Sequence, residues 1–173
     1  MPDATGLELV ATEVREKLGD DAVAGTAFYR EGATLEISPA RVHDVLEYLR
    51  DSADEPYEHL MSVHGCDYLP HEPRLGIHYV MLSMKRAERI NVKTRVSTDD
   101  PVVPSVVDLF PGADFQEREV YDMFGVRFEG HPDLRRILMP EDYEGFPQRR
   151  DFPMGGEPVI FTFNEHQLPR WYE

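Results

Sequence analysis

Nine of the chain's 14 prolines fall after residue 100, and six of them lie in the last 43 residues. Proline fixes φ and has no N–H to donate, so a segment with prolines at 132, 140, 147, 153, 158 and 169 cannot be a helix and makes a poor central strand. The same stretch nevertheless carries Phe128, Tyr143, Phe146, Phe152, Phe161, Phe163, Trp171 and Tyr172, too many large rings to leave in water. All seven bases after residue 100 are arginine, and the three lysines, Lys17, Lys85 and Lys93, lie earlier. The back of the chain is therefore neither an ordinary packed domain nor a disordered tail.

The front has the opposite grammar. Leu7, Val10, Ala11, Val14 and Leu18 lie on one helical face, with Gly19 placed to end the helix. The segments 27–30 and 33–37 flank Glu31-Gly32, a tight-hairpin pattern. Ser38-Pro39 reads as an N-cap with proline at the first helical position, followed by Val42, Val45, Leu46 and Leu49 on one face. Three further strands are predicted at 57–66, 78–84 and 89–97, and in the last Ile90, Val92, Thr94 and Val96 alternate with Arg89, Asn91, Lys93 and Arg95. The order α-β-β-α-β-β-β predicts an α+β fold: a small, mainly antiparallel sheet with helices on one face. Residues 1–127 form this domain, including a helix at about 114–124, and 128–173 form an extended C-terminal arm rich in Arg, Pro and aromatics.

Charge excludes some functions. With 18 Lys+Arg against 33 Asp+Glu the net charge is −15, unsuited to nucleic acid or to anionic lipid. The excess is uneven: −8 over residues 1–55, zero over 56–100 and −7 over 101–173. One cysteine excludes an intrachain disulfide, and no apolar run approaches the ~18 residues of a membrane span. These features, with no secretory segment visible, predict a soluble chain in a reducing compartment.

Chemistry-bearing motifs are sparse. His64 and Cys66 share a strand face, with His71 and His78 beyond, but a zinc site usually pairs ligands at short spacing from two places. His64, Cys66, Asp67 and His71 could also serve a hydrolase, although no nucleophile turn or oxyanion hole accompanies them. Phosphate-cradling loops, the dinucleotide fingerprint and C-x-x-C are absent. Within the predicted helix, Asp114 and Glu117 resemble a capping box, and Arg118 and Asp122 are i,i+4 neighbours on a charged face that could simply be solvated. Arginine and aromatic residues are enriched in interface cores, so the arm reads as a partner-wrapping segment; the alternative is an arm folded back on its own domain.

The irregular run Glu117-Arg118-Glu119-Val120-Tyr121-Asp122-Met123-Phe124, six residues to His131, then Arg135, Ile137 and Leu138, resembles the signature of the C subunit of NADH:quinone oxidoreductase, respiratory complex I. The likeness extends over residues 117–153, with Phe146 standing where the pattern has His and Gln148 where it has Leu. The resemblance implies a scaffold that binds no cofactor, the NADH, flavin, iron–sulfur clusters and quinone being handled by other subunits. It implies a hetero-oligomer in which the arm runs over the quinone-site subunit, near the iron–sulfur subunits, peripheral on the cytoplasmic side of the bacterial membrane. It further implies that Glu117, Arg118, Glu119 and Asp122 join the start of the arm to the domain. His131, Arg135, Arg136, Arg149, Arg150 and Asp151 would then meet partner carboxylates or backbone. Similar subunits occur in membrane-bound nickel–iron hydrogenases and deazaflavin-linked dehydrogenases, and a soluble adaptor outside respiration could use the same arm.

Overall fold

The computed structural model describes residues 2–30, 32–51 and 56–153. Helix α1 (Ala4–Leu18) starts at Asp3, whose carboxylate accepts the Gly6 N–H, and buries Leu7, Val10, Ala11 and Val14. Gly19, at φ +101°, closes it in a conformation that suits glycine. Strands β1 (Val23–Tyr29) and β2 (Gly32–Ile37) then pair antiparallel; Glu31, the other residue of the expected turn, lies outside the described residues. Helix α2 (Val42–Asp51) buries Val42, Val45, Leu46 and Leu49. Its approach departs from expectation: Pro39–Arg41 form a 3-10 turn, and Ser38 makes no side-chain cap.

Strands β3 (His59–Asp67), β4 (Leu75–Ser83) and β5 (Glu88–Val96) complete a five-stranded sheet in the order β1-β2-β5-β4-β3. All neighbours are antiparallel except the parallel β2–β5 pair. Alternation decides the faces. Leu35, Ile37, Leu75, Ile77, Tyr79, Met81, Ile90 and Val92 point into a core shared with α1 and α2. Thr34, Glu36, His78, Asn91 and Lys93 lie on the opposite, half-buried face, linked by hydrogen bonds from Asn91 to Thr34, between Asn91 and His78, and from Lys93 to Glu36. Strand β4 begins three residues before the predicted start, because Leu75 and Ile77 keep the alternation despite Gly76 between them.

Two short strands were not legible in the sequence. β6 (Val102–Pro104) and β7 (Arg127–Glu129) pair in parallel and flank helix α3 (Ala113–Phe124). Helix α3 lies along β3, an edge strand of the sheet: the Gln116 side-chain oxygen accepts the Val63 N–H, and the Phe124 ring occupies the space a Cβ at Gly65 would need. Residues 130–153 contain neither helix nor regular strand, as the prolines require, and follow a series of turns across the domain. Residues 154–173, with Phe161, Phe163, Trp171 and Tyr172, lie outside the described residues. No helix among the described residues is long and apolar enough to cross a membrane.

Candidate functional site

The recognisable residues converge where α3 meets the turns of 131–152. Three buried carboxylates organise the region, and each holds a different part of the chain.

Asp122 is fully buried on the α3 face that meets the turns. One oxygen accepts the consecutive backbone N–H groups of Ile137, Leu138 and Met139 at 3.0, 2.7 and 2.8 Å, and the other accepts Arg136 Nη1 at 2.6 Å. Burial alone would raise its pKa. The N–H groups of Met139, Leu138 and Ile137 and the Arg136 guanidinium outweigh that effect and hold it below the usual carboxylate range. Arg136 also donates to the carbonyls of Asp122, Tyr143 and Gly145 and lies 5.4 Å from the Phe146 ring. One guanidinium thus gathers α3 and two later turns. The expected i,i+4 pairing of Asp122 with Arg118 is replaced by this arrangement; Arg118 instead donates to the carbonyls of Arg135 and Arg136.

Glu117 works in the other direction. The expected capping box does not form, since α3 starts after Gly112 with no side-chain cap. Glu117 shares the inward stripe of Ala113 and Val120, at i, i+4 and i+7, and accepts Ser105 Oγ at 2.7 Å and Val106 N at 2.8 Å. Burial pushes its pKa up to about 7 against the pull of those two donors, with Asp114 and Asp108 nearby adding to the rise. A charged residue on a core stripe is invisible to an apolar periodicity reading, so its burial could not be seen from sequence.

The third carboxylate, Asp67, ends β3. It accepts Arg74 Nε and Nη2 at 2.8 and 2.6 Å and the N–H groups of Leu69 and Arg150 at 3.0 and 2.7 Å. The Arg74 guanidinium is the main cause of a pKa held far below the ordinary carboxylate range. Arg74 also binds Asp151 at 2.7 and 2.5 Å, and Arg150 donates to the Leu69 carbonyl at 2.6 Å. Sequence reasoning missed Arg74; its position just after a proline in a turn gave no periodic signal.

This geometry corrects the hydrolase reading. Side chains alternate along β3, so Asp67 faces away from His64 and Cys66, and its oxygens are taken by Arg74, Leu69 and Arg150. His64 stacks on His78 at 5.0 Å, His78 is held neutral with a pKa near 4 chiefly by burial, and His71 is exposed, its carbonyl accepting Arg95. Among the described residues no group of three or more His, Cys, Asp or Glu could hold a metal ion.

The remaining motif residues are placed as follows. The His131 side chain is fully buried: Nδ1 accepts the Asp133 N–H at 3.0 Å, which leaves Nε2–H to donate to the Asp114 carbonyl at 3.2 Å. Arg135 pairs with Asp133 at the surface. Arg149 donates to the Phe124 carbonyl at 2.7 Å and lies 4.5 Å from the Phe146 ring. Phe146, one of the two departures from the signature, fills space beside Gly125, whose φ is +76°; the Gln148 N–H donates to the Met123 carbonyl. The described turns pack against their own domain through these contacts, and the rest of the expected partner-wrapping arm, 154–173, lies outside the described residues. Glu119 alone of the four motif charges on α3 makes no hydrogen bond or ion pair among the described residues.

The chain is similar to known proteins. Residues 35–158 match the family described as respiratory-chain NADH dehydrogenase, 30 Kd subunit. The chain is 46% identical over 148 residues to the C subunit of NADH-quinone oxidoreductase from Roseiflexus castenholzii, covering 86% of this chain and 85% of that one. It is 45% identical over 150 residues to the protein of the same name from Salinispora tropica, covering 86% and 61%. Among solved structures it resembles a trypsin-resistant fragment (1-134) of Nqo5, with TM-score 0.62 and 30% identity over 74% of this chain and 98% of that one. A chain of the membrane-bound sulfane sulfur reductase, an archaeal respiratory membrane complex, superposes with TM-score 0.68 at 26% identity, covering 85% of both. A match that runs from β2 through all three carboxylate sites, with relatives close to half identical, makes the chain a member of the NADH-quinone oxidoreductase C-subunit family, the 30 kDa subunit of the respiratory-chain NADH dehydrogenase.

Proposed function

We propose that the chain is a cofactor-free scaffold in the peripheral arm of a proton-pumping NADH:quinone oxidoreductase, packed against the quinone-site subunit beside the iron–sulfur subunits. NADH, flavin, iron–sulfur clusters and quinone are then handled by other subunits, and this chain contributes no catalytic residue. Its place would be peripheral, on the cytoplasmic side of the membrane, reached through the complex. The observation that carries this reading is the Asp122 site. A fully buried carboxylate and Arg136 fix the backbone of residues 136–139 through direct hydrogen bonds, so the motif's charge is spent on presenting a surface. Ile137 and Leu138, whose N–H groups are held inward, keep their side chains exposed, together with Met61 and Phe115. Exposed apolar side chains on a rigid backbone suit a permanent interface.

A tagged chain purified from its native membranes tests the proposal. Co-purification of the quinone-site and iron–sulfur subunits with NADH:quinone activity is expected, and Asp122→Ala should lower their recovery. A chain recovered without those subunits would favour the free adaptor. The likeness to the archaeal respiratory complex supports a second reading, the equivalent subunit of a related membrane-bound complex such as a nickel–iron hydrogenase or a deazaflavin-linked dehydrogenase. The co-purified partners distinguish the two.

A further inference from the structure

Three of the four motif charges on α3 are consumed inside the chain. Glu117 is bound by Ser105 and Val106, Arg118 by two carbonyls, and Asp122 by Arg136 and three N–H groups. Glu119 is left over. It is exposed and lines a cleft of about 240 Å³ between α3, the edge of β3 and residues 138–148, together with His64, Met123, Phe124, Leu138 and Gln148. Among the described residues lining this cleft there is no lysine or arginine. Burial holds the His64 imidazole below its ordinary value, so at neutral pH no described residue supplies Glu119 with a cation within the cleft.

We propose that this cleft receives an arginine side chain of the partner protein, with Glu119 as its counter-ion. The inference rests on the scaffold reading above and specifies which contact that scaffold offers. The walls are apolar where Val120, Met123, Phe124 and Leu138 meet, matching the aliphatic stem of a long side chain. Glu119 supplies the carboxylate, and the Gln148 amide and the aromatic rings supply further partners for a planar, weakly hydrated cation. Lysine fits less well, because its compact ammonium holds water more strongly and cannot pair bidentately. An acidic occupant would face Glu119 with no compensating base among the described lining residues. The exposure of Leu138, a cleft-lining residue, at 62%, on a surface that also carries exposed Phe115 on the same helix as Glu119, makes the occupant part of a protein surface rather than a free small molecule. The chain uses the same chemistry internally, with Arg149 and Arg136 stacked on Phe146 at 4.5 and 5.4 Å.

The test uses the intact complex purified through a tagged chain, with the partner proteins quantified by mass spectrometry. Glu119→Lys should lower their recovery about tenfold and Glu119→Gln by less, since the first adds repulsion while the second only removes the counter-ion. A photoreactive residue replacing Gln148 should crosslink to a partner peptide next to an arginine. Changing that arginine to glutamate should restore recovery with Glu119→Lys, a rescue that no folding defect can imitate. Wild-type recovery with Glu119→Lys, or crosslinks confined to this chain, would overturn the proposal. If Asp122→Ala still abolishes assembly in that case, the scaffold reading stands and only the cleft is wrong. If the wild-type tagged chain is itself recovered without the quinone-site and iron–sulfur subunits, the scaffold reading fails, and the cleft proposal with it.

Discussion

Replacing Asp122 with alanine removes the acceptor for three backbone N–H groups and one guanidinium in a single step. Breaking one side of a buried ion pair typically costs ~3–5 kcal/mol, because the abandoned charge stays desolvated. Here the lower end applies. Arg136 keeps three carbonyl acceptors, those of Asp122, Tyr143 and Gly145, and Ile137 and Leu138 lie at the surface, where water can reach their freed N–H groups. The loss therefore falls on the local opening of residues 136–145 rather than on the sheet. At about 3 kcal/mol, amide exchange at residues 137–139 should accelerate by roughly two orders of magnitude. Native-state hydrogen exchange read by mass spectrometry or NMR measures this directly, with the amides of β4 and β5 as the internal reference. Asp122→Asn should fall between, since its one amide oxygen can keep some of the N–H groups while its NH₂ abuts Arg136. Exchange at 137–139 within about threefold of wild type would refute the reasoning, and so would equal acceleration in β4 and β5. The sign with pH follows from the depressed pKa of Asp122: its contribution is present above the unfolded carboxylate range and is lost as pH falls through the folded value.

Glu117 carries the opposite sign. Its pKa is raised to about 7 from 4.5, so its share of stability is full below pH 4.5 and is lost as pH rises through 7. The whole swing is at most about 3 kcal/mol, and Glu117→Gln should flatten the urea midpoint between about pH 5 and pH 8; an unchanged slope in that variant would show that another group titrates there. Gly125→Ala must place a Cβ 2.5 Å from the Phe146 ring and 2.8 Å from Arg149 at a φ of +76°. Backbone strain alone costs ~1–2 kcal/mol, and the displaced ring adds to it, so thermal unfolding should show a drop beyond that range. A drop within it would mean that the ring moves aside freely.

The apolar periodicities of α1 and α2 placed both helices, because a face that must leave water writes its spacing into the sequence. The alternation of Ile90, Val92, Thr94 and Val96 did the same for β5. The failures share a cause. Glu117 sits on a core stripe although its charge argues for water, and only Ser105 and Val106, brought from outside the helix, make that position tolerable. Arg74 and Asp151 are 77 residues apart, and no local pattern could join them. β6 and β7 are three residues each, too short for a period, and exist because parallel pairing lets the chain close around α3.

What the sequence determined alone was the class: an acidic α+β domain, a proline-punctuated extension that cannot be regular, and a motif irregular enough to point to its family. Tertiary structure decided what the motif does physically. It sends Glu117 inward, turns Asp122 and Arg136 into a clasp on residues 137–139, and leaves Glu119 facing a cleft with no partner among the described residues. Adjacent letters in a helix point in directions about 100° apart, and whether a charge there meets water, a backbone or another protein depends on elements the local sequence does not contain.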